Sequence, residues 1–398
     1  MSNDIRMCDL LHPYLQISEE IHAAMAEVMT STSFINGPQV KTFAQHLAAY
    51  LGVERVVPCG NGTDALQIAL MALGLQPGDE VIVPAFTYVA SAEVIALLGL
   101  KPVLVDVNPD TFLVEADAIE QAVLTAGGSS GNRSCPKAVI PVHLFGQSCP
   151  MPSILEVAGA HRLYVVEDNA QALGARCRMA DGTWQATGTI GDVGCTSFFP
   201  TKNLGCMGDG GAMMTQNPEL ADRLHRIANH GQRVKYRHDE IGCNSRLDTL
   251  QAAILDVKLK YLDQANQARQ QAASRYRALL ADLQDVLQLP VESPDSTHVY
   301  HQYTLVLREG QRPGPEGLTR RDALKAWLQE HQIPSMIYYP YPLHHQPAYR
   351  ASCRCVGNLP VATQLAGSVL SLPMHTALTS EQQQYIADVI HRFFQKYA

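Results

Sequence analysis

The sequence predicts an α/β protein with a mostly parallel central sheet flanked by helices, followed by a smaller α+β part at the C-terminus. Short apolar runs rich in valine and isoleucine alternate with segments whose apolar residues have helical spacing. Strand, helix and strand in repeated order, joined by short connections, are typical of a parallel sheet with helices on both faces. Several reactive side chains follow the predicted strands, at the edge where such sheets bind ligands.

The predicted elements of the N-terminal part begin with two amphipathic helices at 16–30 and 38–51. The predicted strands that follow are 80–84, 103–107, 138–144, 163–168, 197–199 and 210–215. The predicted helices are one that begins near Leu66, then 90–98, 114–124, 155–160, 220–229 and 247–262. The predicted irregular segments are a glycine- and serine-rich loop at 127–134, a β-hairpin at 178–193 and a polar loop at 230–244.

The C-terminal part has a different pattern. Its predicted elements are helix 264–283, strand 303–307, helix 321–331, strand 335–339, helix 361–370 and helix 380–397. One strand-helix-strand unit packed under helices indicates an α+β arrangement. The sequence therefore predicts a large domain at 1–262 and a small domain at 263–398.

Composition and charge argue against several classes of function. The 398 residues carry a formal net charge of −8 and no long basic run, which disfavours binding to nucleic acid or to an anionic membrane. No stretch is apolar enough for a signal peptide or a membrane span. Ten cysteines spread along a long chain indicate reduced thiols in a cytoplasm. Cys353 and Cys355 are too weak a pattern to predict a metal site.

Lys202 is the strongest candidate for a reactive group. It follows the apolar strand end Ser197-Phe-Phe and precedes a glycine-rich stretch at 205–211. A lysine whose ammonium is partly desolvated becomes a nucleophile, and its commonest use is an imine with a carbonyl. Taken alone, a lysine in a strand-to-turn connection is usually a solvated surface charge. The residues around it must therefore decide between these interpretations.

A candidate anion site lies upstream, where Cys59-Gly-Asn-Gly-Thr-Asp-Ala-Leu66 leads into a helix. Small residues let backbone N–H groups approach an anion, Thr63 adds a hydroxyl donor, and the helix start contributes partial positive charge. A phosphate group would be stabilised there. The alternative is an ordinary helix start with Thr63 as its N-cap.

Four side chains fall at or after the ends of predicted strands: Tyr88, His143, Asp168 and Lys202. Because the carboxyl ends of parallel strands meet at one edge of a sheet, we expect these side chains to lie near one another. Gln171 adds an amide just beyond Asp168. The ordinary alternatives are packing for Tyr88, a helix N-cap for Asp168, and a satisfied core histidine for His143, which we favour.

An imine-forming lysine, a carboxylate at a strand end and an anion site at a helix start are the three contacts that pyridoxal 5′-phosphate requires. Lys202 would carry the aldehyde, and Asp168 would keep the pyridine nitrogen protonated so that the ring accepts electrons. Thr63 and Ser197 would anchor the phosphate. Lys202, once displaced from the cofactor, could then move the α-proton of an amino acid. The sequence therefore predicts transamination.

Longer motifs occur along nearly the whole chain. They are Asn36-Gly-Pro38, Asn61-Gly-Thr-Asp-Ala-Leu66, Pro84-Ala-Phe-Thr-Tyr88, Glu167-Asp-Asn-Ala-Gln171, Ser197-Phe-Phe-Pro-Thr-Lys202, Asn244-Ser-Arg-Leu-Asp-Thr-Leu-Gln251, Tyr339-Pro-Tyr-Pro-Leu343 and Ser371-Leu-Pro-Met-His375. In content and order they resemble the DegT/DnrJ/EryC1/StrS family, the sugar aminotransferases of fold type I that use pyridoxal phosphate. The resemblance implies that fold and that activity.

The resemblance also implies which residues contact the cofactor. These are Lys202 (imine), Asp168 (pyridinium), Gln171 (3-oxygen), Tyr88 (ring stacking), Thr63, Asp64 and Ser197 (phosphate), and Asn244 (phosphate of the neighbouring subunit's cofactor). It therefore implies a homodimer whose active site is shared across the interface.

Within the family, stretches between residues 195 and 251 are most similar to enzymes that aminate C3 of a UDP-linked 2-acetamido-3-keto-hexuronic acid, as in lipopolysaccharide biosynthesis. The resemblance implies that Arg246 meets the sugar carboxylate, since a guanidinium binds carboxylate through two parallel hydrogen bonds. It places Tyr338 and Tyr339 at the sugar, with Tyr338 in the position of the histidine in the family's His-Tyr-Pro. L-glutamate is the implied amino donor.

Three alternatives stay open. The acceptor could be a dTDP-linked 3-keto or 4-keto 6-deoxysugar. A sugar dehydratase of the same fold is disfavoured, because those enzymes have histidine where this chain has Lys202. A non-catalytic regulatory protein that keeps the fold is the third alternative.

Overall fold

The computed structural model of the protein describes residues 4–127 and 135–397. Most of the loop expected at 127–134 lies outside the described residues. The strands are β1 (Arg55–Cys59), β2 (Glu80–Pro84), β3 (Lys101–Val105), β4 (Ala138–Val139), β5 (Tyr164–Asp168), β6 (Arg176–Arg178), β7 (Trp184–Ala186), β8 (Val193–Ser197), β9 (Gly211–Thr215), β10 (Gln232–Val234), β11 (Arg237–His238), β12 (Leu287–Gln288), β13 (Tyr303–Leu307), β14 (Arg354–Cys355) and β15 (Val369–Leu372).

The α-helices surround these strands. They are α1 (Leu11–Gln16), α2 (Ser18–Ser31), α3 (Pro38–Leu51), α4 (Gly62–Ala72), α5 (Ala90–Leu97), α6 (Ala116–Leu124), α7 (Met151–His161), α8 (Pro218–Ala228), α9 (Thr249–Leu259), α10 (Leu262–Leu279), α11 (Arg320–Glu330), α12 (Pro360–Ser368) and α13 (Ser380–Lys396). Within the described residues, no helix is long and apolar enough to cross a membrane.

Eight strands form the central sheet, in the order β1-β9-β8-β5-β4-β2-β3-β14. From β8 to β14 every neighbouring pair is parallel. Among the described strands of this sheet, β9 alone runs opposite to the others, and it pairs antiparallel with β8 and with the edge strand β1. The prediction of a mostly parallel sheet flanked by helices is confirmed.

Apolar runs fix the central strands inside the protein. All five residues of β2, Glu-Val-Ile-Val-Pro, are buried, and β3 and β5 each have four buried residues of five. Strands covered by helices on both faces have nearly continuous apolar sequences, since neither face is exposed to solvent. Because β2, β3, β4, β5 and β8 run in one direction, the residues that follow them are delivered to one edge of the sheet.

The C-terminal part is built on a three-stranded antiparallel sheet in the order β12-β13-β15. Helices α10, α11 and α13 pack their apolar residues into a second core, which includes Tyr276, Leu324 and Phe393. This arrangement agrees with the predicted α+β pattern. The domain boundary between residues 262 and 263 stays a prediction.

The strand predicted at 335–339 is wrong. Met336 forms only an isolated bridge with Ser371, and the strands that pair with β13 are β12 and β15. The sequence pattern places Val369 and Leu370 at the end of a helix, because they continue the apolar spacing of α12. Periodicity alone cannot tell whether a short apolar run is a helix or a strand. Here the pairing of residues 369–372 with β13 makes the run a strand.

Other differences have local causes. The patterns do not predict β1, which contains Pro58 and lies at an edge of the sheet, where a proline without an N–H is tolerated. They also miss β12 and β14, which have two residues each. The strand predicted at 138–144 ends at Val139, since Pro141 has no N–H for a ladder. The helix predicted at 16–30 is α2, which begins at Ser18 and is preceded by the separate short helix α1, and the helix predicted at 247–262 stops at Leu259.

Candidate active site

Lys202 lies in the loop that follows β8. Its backbone N–H donates to the carbonyl of Phe199 at 2.8 Å, and the next residue, Asn203, donates through Nδ2 to Oδ1 of Asn266 at 2.6 Å. The Lys202 side chain is half-buried. Burial lowers the pKa of its amine to about 8, although the carboxylate of Asp168 acts to raise it. Near pH 8 about half of these amines are neutral, as a nucleophile or a proton acceptor requires.

Asp168 ends β5, and its buried carboxylate has a partner on each oxygen. Oδ2 accepts from the hydroxyl of Ser91 at 2.8 Å, and Oδ1 accepts from the N–H of Ala170 at 3.1 Å. No helix follows directly, so the alternative role of Asp168 as a helix N-cap is wrong. Ser91 is not predicted as a site residue from the sequence. The available signal is that Ser91 is the single hydroxyl residue of the apolar helix α5.

Glu167 and His143 form a fully buried pair directly behind Asp168. Nδ1 of His143 accepts from the N–H of Cys149 at 3.0 Å, so the proton is on Nε2, which donates to Glu167 at 2.9 Å. Three backbone N–H groups of residues 188–191 also donate to Glu167, at 2.7–2.8 Å. Burial opposes ionisation of this carboxyl, but these donors outweigh it and hold its pKa below the ordinary value. The expectation that His143 is a satisfied core histidine is confirmed.

The candidate anion site is the start of α4. Asn61 is the N-cap, since its Oδ1 accepts from the N–H of Asp64 at 2.8 Å. The alternative role of Thr63 as the N-cap is therefore wrong, and Thr63 lies inside the first turn. A β-carbon at Gly62 would lie 2.7 Å from Cβ of Ser197, so glycine alone lets the helix start approach the end of β8 this closely. Thr63 and Ser197 thus come together at the N-terminus of an eleven-residue helix.

The segment at 244–246 borders this anion site. The hydroxyl of Ser245 donates to Oδ2 of Asp64 at 2.6 Å and accepts from the N–H of Gly60 at 2.9 Å. Asn244 is exposed, and Arg246 is partly buried without an ion pair to any described residue. Contact of Asp64, Asn244 or Arg246 with a ligand stays a prediction.

Gln171 connects the end of β5 to the aromatic residues of the site. Its Oε1 accepts from the N–H of Phe145 at 2.7 Å, and its Nε2 donates to the hydroxyl of Tyr339 at 3.0 Å. Both ends of the amide are therefore oriented by partners on other segments, which fixes the side chain just beyond Asp168.

Three tyrosines lie at this end of the site. The ring centroids of Tyr88 and Tyr339 are 6.0 Å apart, and those of Phe86 and Tyr339 are 6.2 Å apart. Tyr88 is 56% exposed, so its ring is accessible for stacking while one side packs. Tyr338 is half-buried, and burial raises the pKa of both Tyr338 and Tyr339. The two hydroxyls are therefore neutral hydrogen-bonding groups at physiological pH.

These residues fit pyridoxal phosphate. Parallel pairing of β5 with β8 sets Asp168 opposite Cys195, two residues before Ser197. A carboxylate, a helix N-terminus with two hydroxyls, and an amine with a lowered pKa thus meet at one edge of the sheet. They match the pyridinium, the phosphate and the aldehyde of that cofactor.

The sequence matches the DegT/DnrJ/EryC1/StrS aminotransferase family over residues 15–391. The chain belongs to this family. The resemblance drawn from its motifs is confirmed, and so are the aminotransferase activity and the pyridoxal phosphate cofactor. Fold type I, expected on the same basis, agrees with the observed sheet.

Relatives of the chain span nearly its whole length. It is 42% identical to a pleiotropic regulatory protein of Geobacillus stearothermophilus, covering 99% of this chain and 100% of the relative. It is 41% identical to the UDP-N-acetyl-3-dehydro-α-D-glucosamine 3-aminotransferase of Acidithiobacillus ferrooxidans, covering 98% and 97%. It is 39% identical to the UDP-2-acetamido-2-deoxy-3-oxo-D-glucuronate aminotransferase of Pseudomonas aeruginosa, covering 94% and 96%.

Solved structures share the whole fold. A DegT DnrJ EryC1 StrS aminotransferase from Brucella abortus superposes with a TM-score of 0.90 at 40% identity, covering 98% of this chain and 99% of that one. DesV of S. venezuelae, in complex with a ketimine intermediate, has a TM-score of 0.89 at 38% identity, with the same coverage.

Proposed function

We propose that the protein transfers an amino group from L-glutamate to the keto group of a UDP-linked 2-acetamido-3-keto-hexuronic acid, in surface polysaccharide biosynthesis. The observation that carries the transfer is Lys202, a half-buried amine with a pKa of about 8 in the field of Asp168. Two relatives named for UDP-linked 3-keto sugars, at 41% and 39% identity, support a UDP-linked 3-keto acceptor, and the second, named for a glucuronate, supports the carboxylate.

The residues around the cofactor divide its binding between them. Thr63 and Ser197 would hold the phosphate with the N-terminus of α4, where the helix dipole favours negative charge. Asp64, which is hydrogen-bonded to Asn61 and Ser245, would border the phosphate and orient this segment. Tyr88 stacks on the ring. Gln171, oriented by Phe145 and Tyr339, presents its amide near the 3-oxygen.

Asp168 and Lys202 carry the proton chemistry. The cofactor, when bound, supplies an electron-accepting ring, which eases removal of the proton from the carbon that bears the amino group. Asp168 holds the proton on the ring nitrogen, because Ser91 and Ala170 fix both of its oxygens. Lys202 would accept the proton from the α-carbon of the amino donor on its neutral Nζ and, once protonated, would return it, as a positioned base and acid.

The acceptor's carboxylate is assigned to Arg246. A guanidinium without an ion pair among the described residues is free to bind a carboxylate through two parallel hydrogen bonds. Tyr338 and Tyr339 offer hydroxyls to the sugar.

A homodimer and a cytoplasmic location complete the proposal. Asn244 is exposed beside the anion site, which suits a residue that reaches the cofactor phosphate of a neighbouring subunit. All ten cysteines are free thiols, as expected in a reducing compartment.

The decisive experiment follows the two half-reactions separately. L-glutamate should abolish the visible absorbance of the holoenzyme, and a 3-keto UDP sugar should restore it with formation of the 3-amino product, measured by mass spectrometry. A matched pair of acceptors, with and without the C6 carboxylate, tests Arg246. In Arg246→Gln, kcat/KM should fall at least about tenfold for the carboxylated acceptor alone, since charge-assisted hydrogen bonds contribute about 1.5–3 kcal/mol. Equal losses for both acceptors would contradict this assignment.

Two other candidates have specific support. Amination of dTDP-linked keto sugars instead would favour the alternative acceptor, which a relative of Streptomyces venezuelae at 38% identity supports. A holoenzyme whose spectrum does not respond to any amino donor would favour a regulatory role, in line with the name of the Geobacillus relative.

A further inference from the structure

A cleft of about 400 Å³ opens beside Lys202. Its walls are the N-terminal segment at 8–21, the loop at 200–207 and the helices α9 and α10. Three basic residues line it: Lys202, Lys258 and Arg269. We call it the cationic cleft.

Lys258 and Arg269 contact only neutral acceptors among the described residues. Nζ of Lys258 donates to the carbonyl of Gly205. Arg269 is 6% exposed, and its Nη1 donates to the carbonyls of Tyr300 and Met374, each at 3.2 Å, while its Nε has no partner. A buried guanidinium without a carboxylate is costly, because a desolvated charge normally has an opposite charge beside it.

The acidic residue that lines the cationic cleft does not balance these charges. Asp9 accepts from the N–H groups of Leu11 and His12 at 2.9 and 3.0 Å, and its second oxygen lies 2.6 Å from Nδ1 of His12. Its carboxylate is thus used at the start of α1. Burial lowers the pKa of both Lys258 and Arg269, since neither has a compensating anion.

We propose that the cationic cleft is a subsite for an anionic group of a substrate, held by Lys258 and Arg269. The ligand chemistry is a carboxylate of the amino donor or a phosphate of the sugar nucleotide. Because Lys202 lines the same cleft, an anion held there keeps the remainder of its molecule beside the reactive amine. This assignment rests on the proposed function, and it names how one of the two substrates is bound.

The test uses the holoenzyme and the variant Lys258→Met, which keeps the apolar stem and removes the charge. Lys258→Arg is the matched control, since it retains the charge. Calorimetry with succinate and with UDP, neither of which reacts, measures anion binding directly. One of the two dissociation constants should rise at least tenfold in Lys258→Met and return towards the wild-type value in Lys258→Arg.

The half-reactions identify the source of the anion. If the cationic cleft binds the carboxylate of the amino donor, Lys258→Met should raise the L-glutamate concentration needed for half-maximal rate and leave that of the keto sugar nucleotide unchanged. If the cleft binds the nucleotide phosphate, the opposite result is expected. Unchanged binding of both probes, or an equal loss of rate in both half-reactions with unchanged saturation, would overturn the proposal, because Lys258 would then only hold the loop at Gly205.

If Lys258→Met does not fold, competition in the wild-type enzyme decides. Sulfate should compete with one substrate, and its failure to compete with either would overturn the subsite.

A failure of this proposal differs from a failure of the proposed function. Loss of the subsite leaves amino transfer in the wild-type enzyme intact. An enzyme that aminates no keto sugar fails at the level of the function, whatever the binding of succinate or UDP.

Discussion

The carboxylates at the end of β5 are buried, and in the cationic cleft Arg269 is buried and Lys258 half-buried, but the partners of the two sets differ. Glu167 accepts four hydrogen bonds, and both oxygens of Asp168 have donors. Lys258 and Arg269, in contrast, contact only backbone carbonyls among the described residues, and Nε of Arg269 has no partner.

This difference indicates two uses of buried charge. A carboxylate with complete hydrogen bonding is a fixed part of the protein, and it can orient a neighbour without moving. A desolvated cation without an opposite charge gains most when an anion arrives. The β5 end is therefore a rigid support, whereas the cationic cleft is suited to a ligand that comes and goes.

The largest effect is expected for Lys202, which lies between the two regions. Lys202→Ala should lower kcat by about 10⁴-fold, the upper range for a positioned acid and base. Borohydride reduction of the wild-type holoenzyme, followed by peptide mass analysis, should place the cofactor on residue 202. A label on any other lysine would show that the reactive amine has been misassigned.

The rigid support is tested by Glu167→Gln. Removing the charge from a buried hydrogen-bonded pair should lower the free energy of unfolding by about 3–5 kcal/mol, measured by urea denaturation. The exposed Glu156→Gln is the control and should change it by less than about 0.5 kcal/mol.

The pH dependence of unfolding sharpens this test. The pKa of Glu167 is lower in the folded protein than its ordinary value of 4.5, so its stabilisation is present above pH 4.5. It is lost as the pH falls through the folded value. The difference between wild type and Glu167→Gln should therefore shrink in acid, and a constant difference would argue against a charged Glu167.

Asp168→Asn tests how the carboxylate at the end of β5 acts on the cofactor and on the amine of Lys202. Pyridoxal phosphate should bind at least about tenfold more weakly, because a charge-assisted hydrogen bond contributes about 1.5–3 kcal/mol. In the protein without cofactor, the pKa of Lys202 should fall below 8, since Asp168 favours the protonated amine. Acylation of residue 202 by a small reagent, followed by mass spectrometry across pH, measures this midpoint, and a midpoint that rises would contradict the assignment.

The smallest effect is expected at the start of α4. Asn61→Ala should lower the free energy of unfolding by about 1 kcal/mol through loss of the N-cap. Thr63→Ala should leave stability without cofactor nearly unchanged and weaken pyridoxal phosphate binding, measured by fluorescence titration. A stability loss in Thr63→Ala as large as that in Asn61→Ala would mean that Thr63 also caps the helix.

Much of the candidate site was predictable from the sequence, because its residues follow local patterns. Asp168 and Lys202 stand just after apolar runs, and the glycine-rich stretch before Leu66 leads into a helix. Ser91 and Glu167 were not predictable, since their importance depends on contacts with residues 77 and 24 positions away in the chain. Thr63 and Asn61 show the same limit locally: both are good N-caps, and only the backbone conformation selects Asn61.

The sequence by itself determined the alternation of strands and helices, the positions of the reactive residues and the family, since these depend on short-range spacing and on residue type. Tertiary structure decided which apolar run is the second long strand of the C-terminal sheet, which buried charges are balanced, and that Lys202 has a lowered pKa. The physical reason is that strand pairing, desolvation and charge compensation are properties of groups brought together from distant parts of the chain, and no local pattern carries them.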